Sequence, residues 1–120
     1  MTLQEAFDIA SVGLLTQKYP SQNSSGECLY RGPRGRKCAV GFLIPDELYT
    51  RSLEGKGLEF VREQIPELCK LPYDFLDCLQ HIHDTMYPHG WREHLQNFAH
   101  DYKLSTAKMD AIKEPRKNKT

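Results

Sequence analysis

YRGPRGRKCAVGFLIPDELY, residues 30–49, separates the chain's first helix from its helix-rich second half. The architecture turns on whether this stretch pairs with its neighbours or coils. Pro33-Arg34-Gly35 fits a three-residue hairpin loop, with Pro33 pre-set for a type I turn and Gly35 free to take positive φ. Residues 27–31 and 36–40 then suit two short strands. That register sets Tyr30 opposite Cys38, puts Cys28 and Val40 on the same face, and points Arg31 and Lys37 the other way. A hairpin this short needs helices to pack on.

Those helices are signalled on both sides. Thr2 and Glu5 have the spacing of a capping box, in which hydroxyl and carboxylate each satisfy a free backbone donor. Leu3, Phe7, Ala10 and Leu14 follow on one face, and Pro20 closes the element. Pro45-Asp46-Glu47 reads as a helix opening. Gly55 and Gly57 interrupt the chain before Leu58, Val61, Ile65 and Leu68, a second amphipathic face. Pro72 and Asp74 open a helix with the stripe Phe75, Leu79, Ile82 and Met86. Pro88-His89-Gly90 is a turn, and Trp91, Leu95, Phe98 and Tyr102 repeat the stripe. Ser105 caps a last short helix running to Ile112. The expectation is an α+β domain, predominantly helical with four to six helices, carrying one β-hairpin packed on them. It covers residues 1–112, with a basic tail at 113–120.

Composition bounds the classes of function. The chain has 120 residues, 27% charged and 39% apolar, which suits one globular domain. Its longest apolar run there, Phe42-Leu43-Ile44, falls far short of the roughly 20 residues a membrane helix needs. The opening residues carry Glu5 and Asp8 and no basic start, which argues against a secretory signal. Cytoplasmic residence is therefore the expectation, with Cys28, Cys38, Cys69 and Cys78 as reduced thiols. Formal charge is zero, against a bulk nucleic-acid binder. The distribution is uneven, because residues 113–120 hold +3 and the remaining 112 residues hold −3. Within that acidic body Arg31, Arg34, Arg36 and Lys37 form a basic knot.

Three kinds of site follow from the side chains. Tyr30, Arg31, Arg34, Arg36 and Lys37, beside the backbone donors of Gly32 and Gly35, suit bidentate capture of phosphate or carboxylate. A solvated turn is the plainer reading of the same cluster. Four like charges within seven residues repel, however, and nothing in a turn requires them. Second, Cys38 beside Arg36 and Lys37 has the setting of an activated thiol, with His81 or His83 as base. Its neighbours Ala39, Val40 and Gly41 favour plain packing instead. Third, Cys28, Cys38, Cys78 and His81 are candidate zinc ligands. The tight Cys-x2–4-Cys knuckle of structural zinc is missing, and by helical angle Cys78 and His83 flank the core stripe from opposite sides while His81 faces out, so the three do not converge on one ion. His83 and Asp84 read as solvent-facing groups near a helix end, where a histidine can bond free carbonyls.

The stretch GRKCAVGFLIPDELY, preceded by CLYR and followed by LQHIHD, resembles small uncharacterised proteins of phages and prophages. Similar actinobacterial proteins carry a Cys-Ala-x-Gly-x-Leu core and a downstream acidic dipeptide. Here the matching positions are Cys38, Ala39, Gly41 and Leu43, and then Asp84, with His83 in place of the first acid. The resemblance spans roughly residues 28–102 and implies a context, not an activity.

The functional expectation is a non-enzymatic accessory protein of phage or mobile-element type. It would engage an acidic or phosphate-bearing partner in the host cytoplasm through the basic tip, with a defence or nucleic-acid system among the targets. No cofactor and no membrane are implied. A Cys38-dependent hydrolase or transferase and a small structural zinc module are the alternatives.

Overall fold

The structure, a computed structural model, describes residues 1–85 and 87–113. Six α-helices account for most of its regular backbone: α1 (Leu3–Gln17), α2 (Leu58–Gln64), α3 (Pro66–Cys69), α4 (Tyr73–Thr85), α5 (Trp91–Asp101) and α6 (Ala107–Asp110). Between α1 and α2 the chain runs through loops and four single 3-10 turns, at Pro33–Gly35, Gly41–Leu43, Asp46–Leu48 and Arg51–Leu53.

The expected capping box starts α1. Glu5 N–H donates to the Thr2 hydroxyl at 3.0 Å and Thr2 N–H donates to the Glu5 carboxylate at 2.8 Å. The helix ends at Lys18, left-handed with φ 68°, two residues before Pro20. Phe7, Ala10 and Leu14 are buried, as the periodicity requires. They meet α5, where Phe98 stacks on Phe7 at 5.7 Å between ring centroids and takes the edge of Phe75 from α4 at 5.2 Å. The aromatic stripes of α4 and α5 are thus core. The expected helix around Leu58–Leu68 is split in two, because Pro66 has no N–H to continue the ladder and opens α3 instead. Its apolar face survives the break, with Val61, Ile65 and Leu68 buried. The opening at Pro45-Asp46-Glu47 yields one 3-10 turn and goes no further. Ser105 does meet the start of α6, accepting the Ala107 N–H at 3.1 Å. Ile112 packs against the core behind it. Met86 and residues 114–120, most of the expected tail, lie outside the described residues.

The hairpin is the correction. Among the described residues there is no β-sheet, and extended pairing is confined to two isolated antiparallel bridges, Gln22 with Cys28 and Arg31 with Lys37. The domain is mostly helical rather than α+β. Pairing stops at the Arg31–Lys37 bridge because side chains take the Tyr30 and Val40 donors that its register would have paired, and Arg31 N–H, which faces outward there, shares the same acceptor as Tyr30. Tyr30 N–H and Arg31 N–H donate to the two oxygens of Glu54 at 2.9 and 3.0 Å, and Val40 N–H donates to Gln80 Oε1 at 2.9 Å. After Cys38 the chain coils, with Phe42 N–H returning to Cys38 O at 3.1 Å and Leu43 N–H to Val40 O at 2.8 Å. Gly41 permits this bend, because a Cβ there would lie 2.0 Å from Tyr30 O. Between the two expected strands, the bridge that forms pairs Arg31 with Lys37, with both Arg34 (φ 63°) and Gly35 (φ 73°) left-handed at the apex.

Candidate functional site

Two features converge on residues 28–38, a basic loop and a cavity behind it. The loop stands on bracing that its own sequence does not supply. Glu54 binds its backbone from below and also accepts the Tyr49 hydroxyl at 2.6 Å. Arg31 turns inward, donating from Nη2 to Ile44 O at 2.7 Å and pairing with Asp46 at 2.8 Å. Its guanidinium carbon also lies 4.8 Å from the Tyr49 ring centre. Lys37 reaches the same Asp46 at 3.8 Å, and its backbone is clamped by Gln17, which accepts Lys37 N–H and donates to Lys37 O, both at 2.8 Å.

The expected cationic set therefore divides. Arg31 and Lys37 are committed to Asp46, whereas Pro33, Arg34 and Gly35 are exposed at the tip. Arg36 lies over the Tyr19 ring at 4.4 Å, an arrangement that fixes a guanidinium without neutralising it. Arg34 has no hydrogen bond or ion pair among the described residues. Tyr30 does not reach the tip; its hydroxyl donates to Lys56 O at 2.9 Å on the cavity side.

The cavity, about 410 Å³, lies between residues 28–30 and α4. Tyr73, Asp77, Gln80 and Asp84 line it from the helix, with Cys38 and the segment Gly55 to Leu58 completing the wall. Asp84 is the best-held group there. Its Oδ1 accepts from His83 Nδ1 at 2.9 Å and from Gln80 Nε2 at 2.8 Å, and the Cys28 sulfur lies within 4.8 Å of the carboxylate. Partial burial alone would raise its pKa, but these donors outweigh that penalty and hold it below 3.8. Cys28 moves the opposite way, pushed up to about 11 by burial and by the adjacent carboxylate.

His83 is a buried core residue, 1% exposed, not the surface helix-end group its position suggests. Ser21 N–H donates to its Nε2 at 2.8 Å, so Nε2 is the lone-pair nitrogen and Nδ1 carries the proton given to Asp84. The ring lies 5.7 Å from that of Trp91. Both nitrogens are thus occupied, so neither is free to serve as a base.

The remaining candidates separate. Cys38 is 1% exposed, its sulfur accepts Gly41 N–H at 3.3 Å, and burial pushes the thiol up to about 12. A thiol so placed is protonated at neutral pH and is a packing group. Cys78 and His81 are exposed on α4 and do not join Cys28 and Cys38 in one coordination sphere. The atoms that do approach within 4.8 Å of one another are those of Cys28, His83 and Asp84. That trio is a poor metal site, because a metal on Nδ1 would require the proton on Nε2, where the Ser21 N–H already points.

Sequence reasoning missed Glu54, His83 as a core group, and the Tyr73–Asp77–Gln80–Asp84 stripe. The stripe and His83 both had a signal to read in their helical spacing, and Glu54 had none. Comparison with protein-family models, curated proteins and solved structures finds no match to this chain.

Proposed function

We propose that the protein is a non-enzymatic binding protein whose basic tip, Arg34 with Arg36, engages an acidic or phosphate-bearing partner. The supporting observation is the division of labour within the loop: Arg31 and Lys37 pair with the exposed Asp46, while Arg34 and Arg36 carry no acidic partner among the described residues and stand on a braced backbone. Such pre-ordering lowers the entropy lost when a partner docks. The resemblance to phage and prophage proteins points to a partner in a bacterial host cell. The burial of Cys38 and the occupied nitrogens of His83 weigh against the thiol-enzyme reading.

The test is a pull-down from bacterial lysate with wild type and the R34S/R36S double variant, at rising salt. The expected result is a captured partner that the double variant loses and that salt releases, since exposed charge pairs are screened. Melting temperatures should match, because neither guanidinium carries a buried contact. Equal capture by the two proteins overturns the proposal.

A further inference from the structure

Ser21 is the point at which the basic loop is joined to α4. It is fully buried, and its polar groups are all engaged. Its carbonyl accepts Leu29 N–H at 2.9 Å on the incoming limb of the loop, and its hydroxyl donates to Arg36 O at 3.3 Å on the outgoing limb. Gly32 packs so closely that a Cβ there would lie 2.6 Å from the Ser21 hydroxyl oxygen. The remaining group, the Ser21 N–H, is held by His83 Nε2 at 2.8 Å. One side chain of α4 thus reaches both limbs of the tip through a single residue.

That bond exists only while the imidazole is neutral. Nδ1 carries the proton given to Asp84, so the Ser21 N–H meets the Nε2 lone pair. A proton taken from solvent onto Nε2 turns the contact into two N–H donors facing each other. The ring is 1% exposed, so the new N–H reaches water only if Ser21 moves away. Among the described residues, the titratable groups facing the ring are Asp84, from its own helix, and Cys28, from the segment after Ser21. Trp91 from α5 and Ser21 itself carry no charge in either state. Burial keeps the Cys28 thiol protonated, pushed up to about 11. Asp84 acts the other way, because its carboxylate keeps the Nδ1–H bond in both states and makes it an ion pair in one. The site therefore has two arrangements: a neutral ring holding Ser21, and an imidazolium held by Asp84 alone.

We propose that His83 is an acid-operated latch on the basic tip, closed by its bond to Ser21 and opened when Nε2 gains a proton. The inference rests on the reading of Arg34 and Arg36 as the binding surface and adds its regulation. Opening loosens Leu29 and Arg36 together and removes the pre-ordering of the tip. Its sign is opposite to that of simple electrostatics, by which charging histidines would tighten an acidic partner.

Amide exchange followed by NMR between about pH 8 and about pH 5, the interval in which imidazoles titrate, tests the latch. The proteins are wild type, His83→Gln, Asp84→Asn and R34S/R36S. In wild type the protection of the Ser21 and Leu29 amides, corrected for the intrinsic pH dependence of exchange, should fall at least about tenfold toward the acid end. The amides of α1 and α5 should keep theirs. His83→Gln offers a neutral acceptor and should abolish the change. Asp84→Asn removes the partner of the imidazolium, so its transition should move to lower pH. Unchanged protection of Ser21 and Leu29 in wild type, an equal loss throughout α1 and α5, or a transition that persists in His83→Gln each overturns the latch. So does an unmoved midpoint in Asp84→Asn, which decides alone if His83→Gln does not fold. R34S/R36S should switch as wild type does, because the readout needs no partner. A failed latch therefore leaves the tip reading standing, and a failed tip leaves the latch standing.

Discussion

Ser21 N–H donates to His83 Nε2 at 2.8 Å inside the protein, between two residues 62 apart in sequence. This bond ties the loop after α1 to the end of α4 and fixes the imidazole as the Nδ1–H tautomer that orients Asp84. Replacing His83 by Ala leaves the Ser21 N–H buried without a partner and opens space beside Trp91. The expected loss is about 3 kcal/mol, combining an unsatisfied donor with a cavity. Urea unfolding measures it, and a loss below about 0.5 kcal/mol would show that the bond does not form. The same tautomer predicts that added zinc does not raise the melting temperature and that a chelator does not lower it.

Glu54 holds the loop as a ladder partner would have done, so its charge and both oxygens matter. Glu54→Gln keeps the shape but aims an amide N–H at one of the two backbone donors. The expected cost is about 2 kcal/mol, within the range for a buried donor left unpaired. Thermal unfolding of Glu54→Gln against wild type decides it. Equal stability would mean that Tyr30 and Arg31 find another acceptor.

That pair of residues also explains where sequence reading ended. Local signals were legible: the Thr2–Glu5 box, the apolar stripes of α1, α4 and α5, and the positive φ of Gly35 all appear in the structure. The α+β assignment failed because it took the backbone donors of residues 27–40 to be satisfied within that segment. Their donors go instead to Glu54, 24 residues from Tyr30, and to Gln80, 40 residues from Val40. No periodicity encodes so distant an acceptor. His83 failed differently. It follows Leu76 and Leu79 at seven and four residues, so it sits on a core-facing arc wider than the stripe Phe75, Leu79, Ile82 alone. The cavity stripe was open to the same spacing argument.

Thiol chemistry should follow burial, not the charge of nearby residues. Cys69 and Cys78 are exposed, whereas Cys38 is buried with its pKa pushed up to about 12 and Cys28 is raised to about 11. Iodoacetamide at about pH 8 should therefore modify the exposed Cys69 and Cys78 first. Peptide mass mapping reads the order. Rapid labelling of Cys38 in the folded protein would revive the nucleophile reading and contradict its burial.

Acid should unfasten the Asp84 network. Its folded pKa is depressed below 3.8, so its contribution to stability is present above that value and is lost as pH falls through the lower folded value. His83 and Gln80 both donate to the carboxylate and lose its charge together. Asp84→Asn should be less stable than wild type at about pH 6, and the gap should narrow toward about pH 2. Denaturant midpoints at the two pH values test this. A gap that stays constant means that Asp84 has no special ionised state in the fold.

Gly41 and Gly35 are both glycines of the decisive loop, yet alanine should act on them through different physics. At Gly35 nothing lies within 4 Å of a new Cβ, and the cost comes from its left-handed φ of 73° alone. That is about 1–2 kcal/mol. At Gly41 the new Cβ would lie 2.0 Å from Tyr30 O, and both neighbours are backbone held elsewhere, Tyr30 by Glu54 and Val40 by Gln80. The clash cannot be relieved by rotating a side chain, so Gly41→Ala should cost about 3 kcal/mol or more. A second consequence follows from the same contact. Moving Tyr30 widens the cavity and pulls its hydroxyl from Lys56 O, so Gly41→Ala should also disturb the Tyr30 and Lys56 amide resonances. Gly35→Ala should leave them in place. Equal costs for the two substitutions, or matching shifts at Lys56, would show that the chain does not turn against Tyr30 at Gly41.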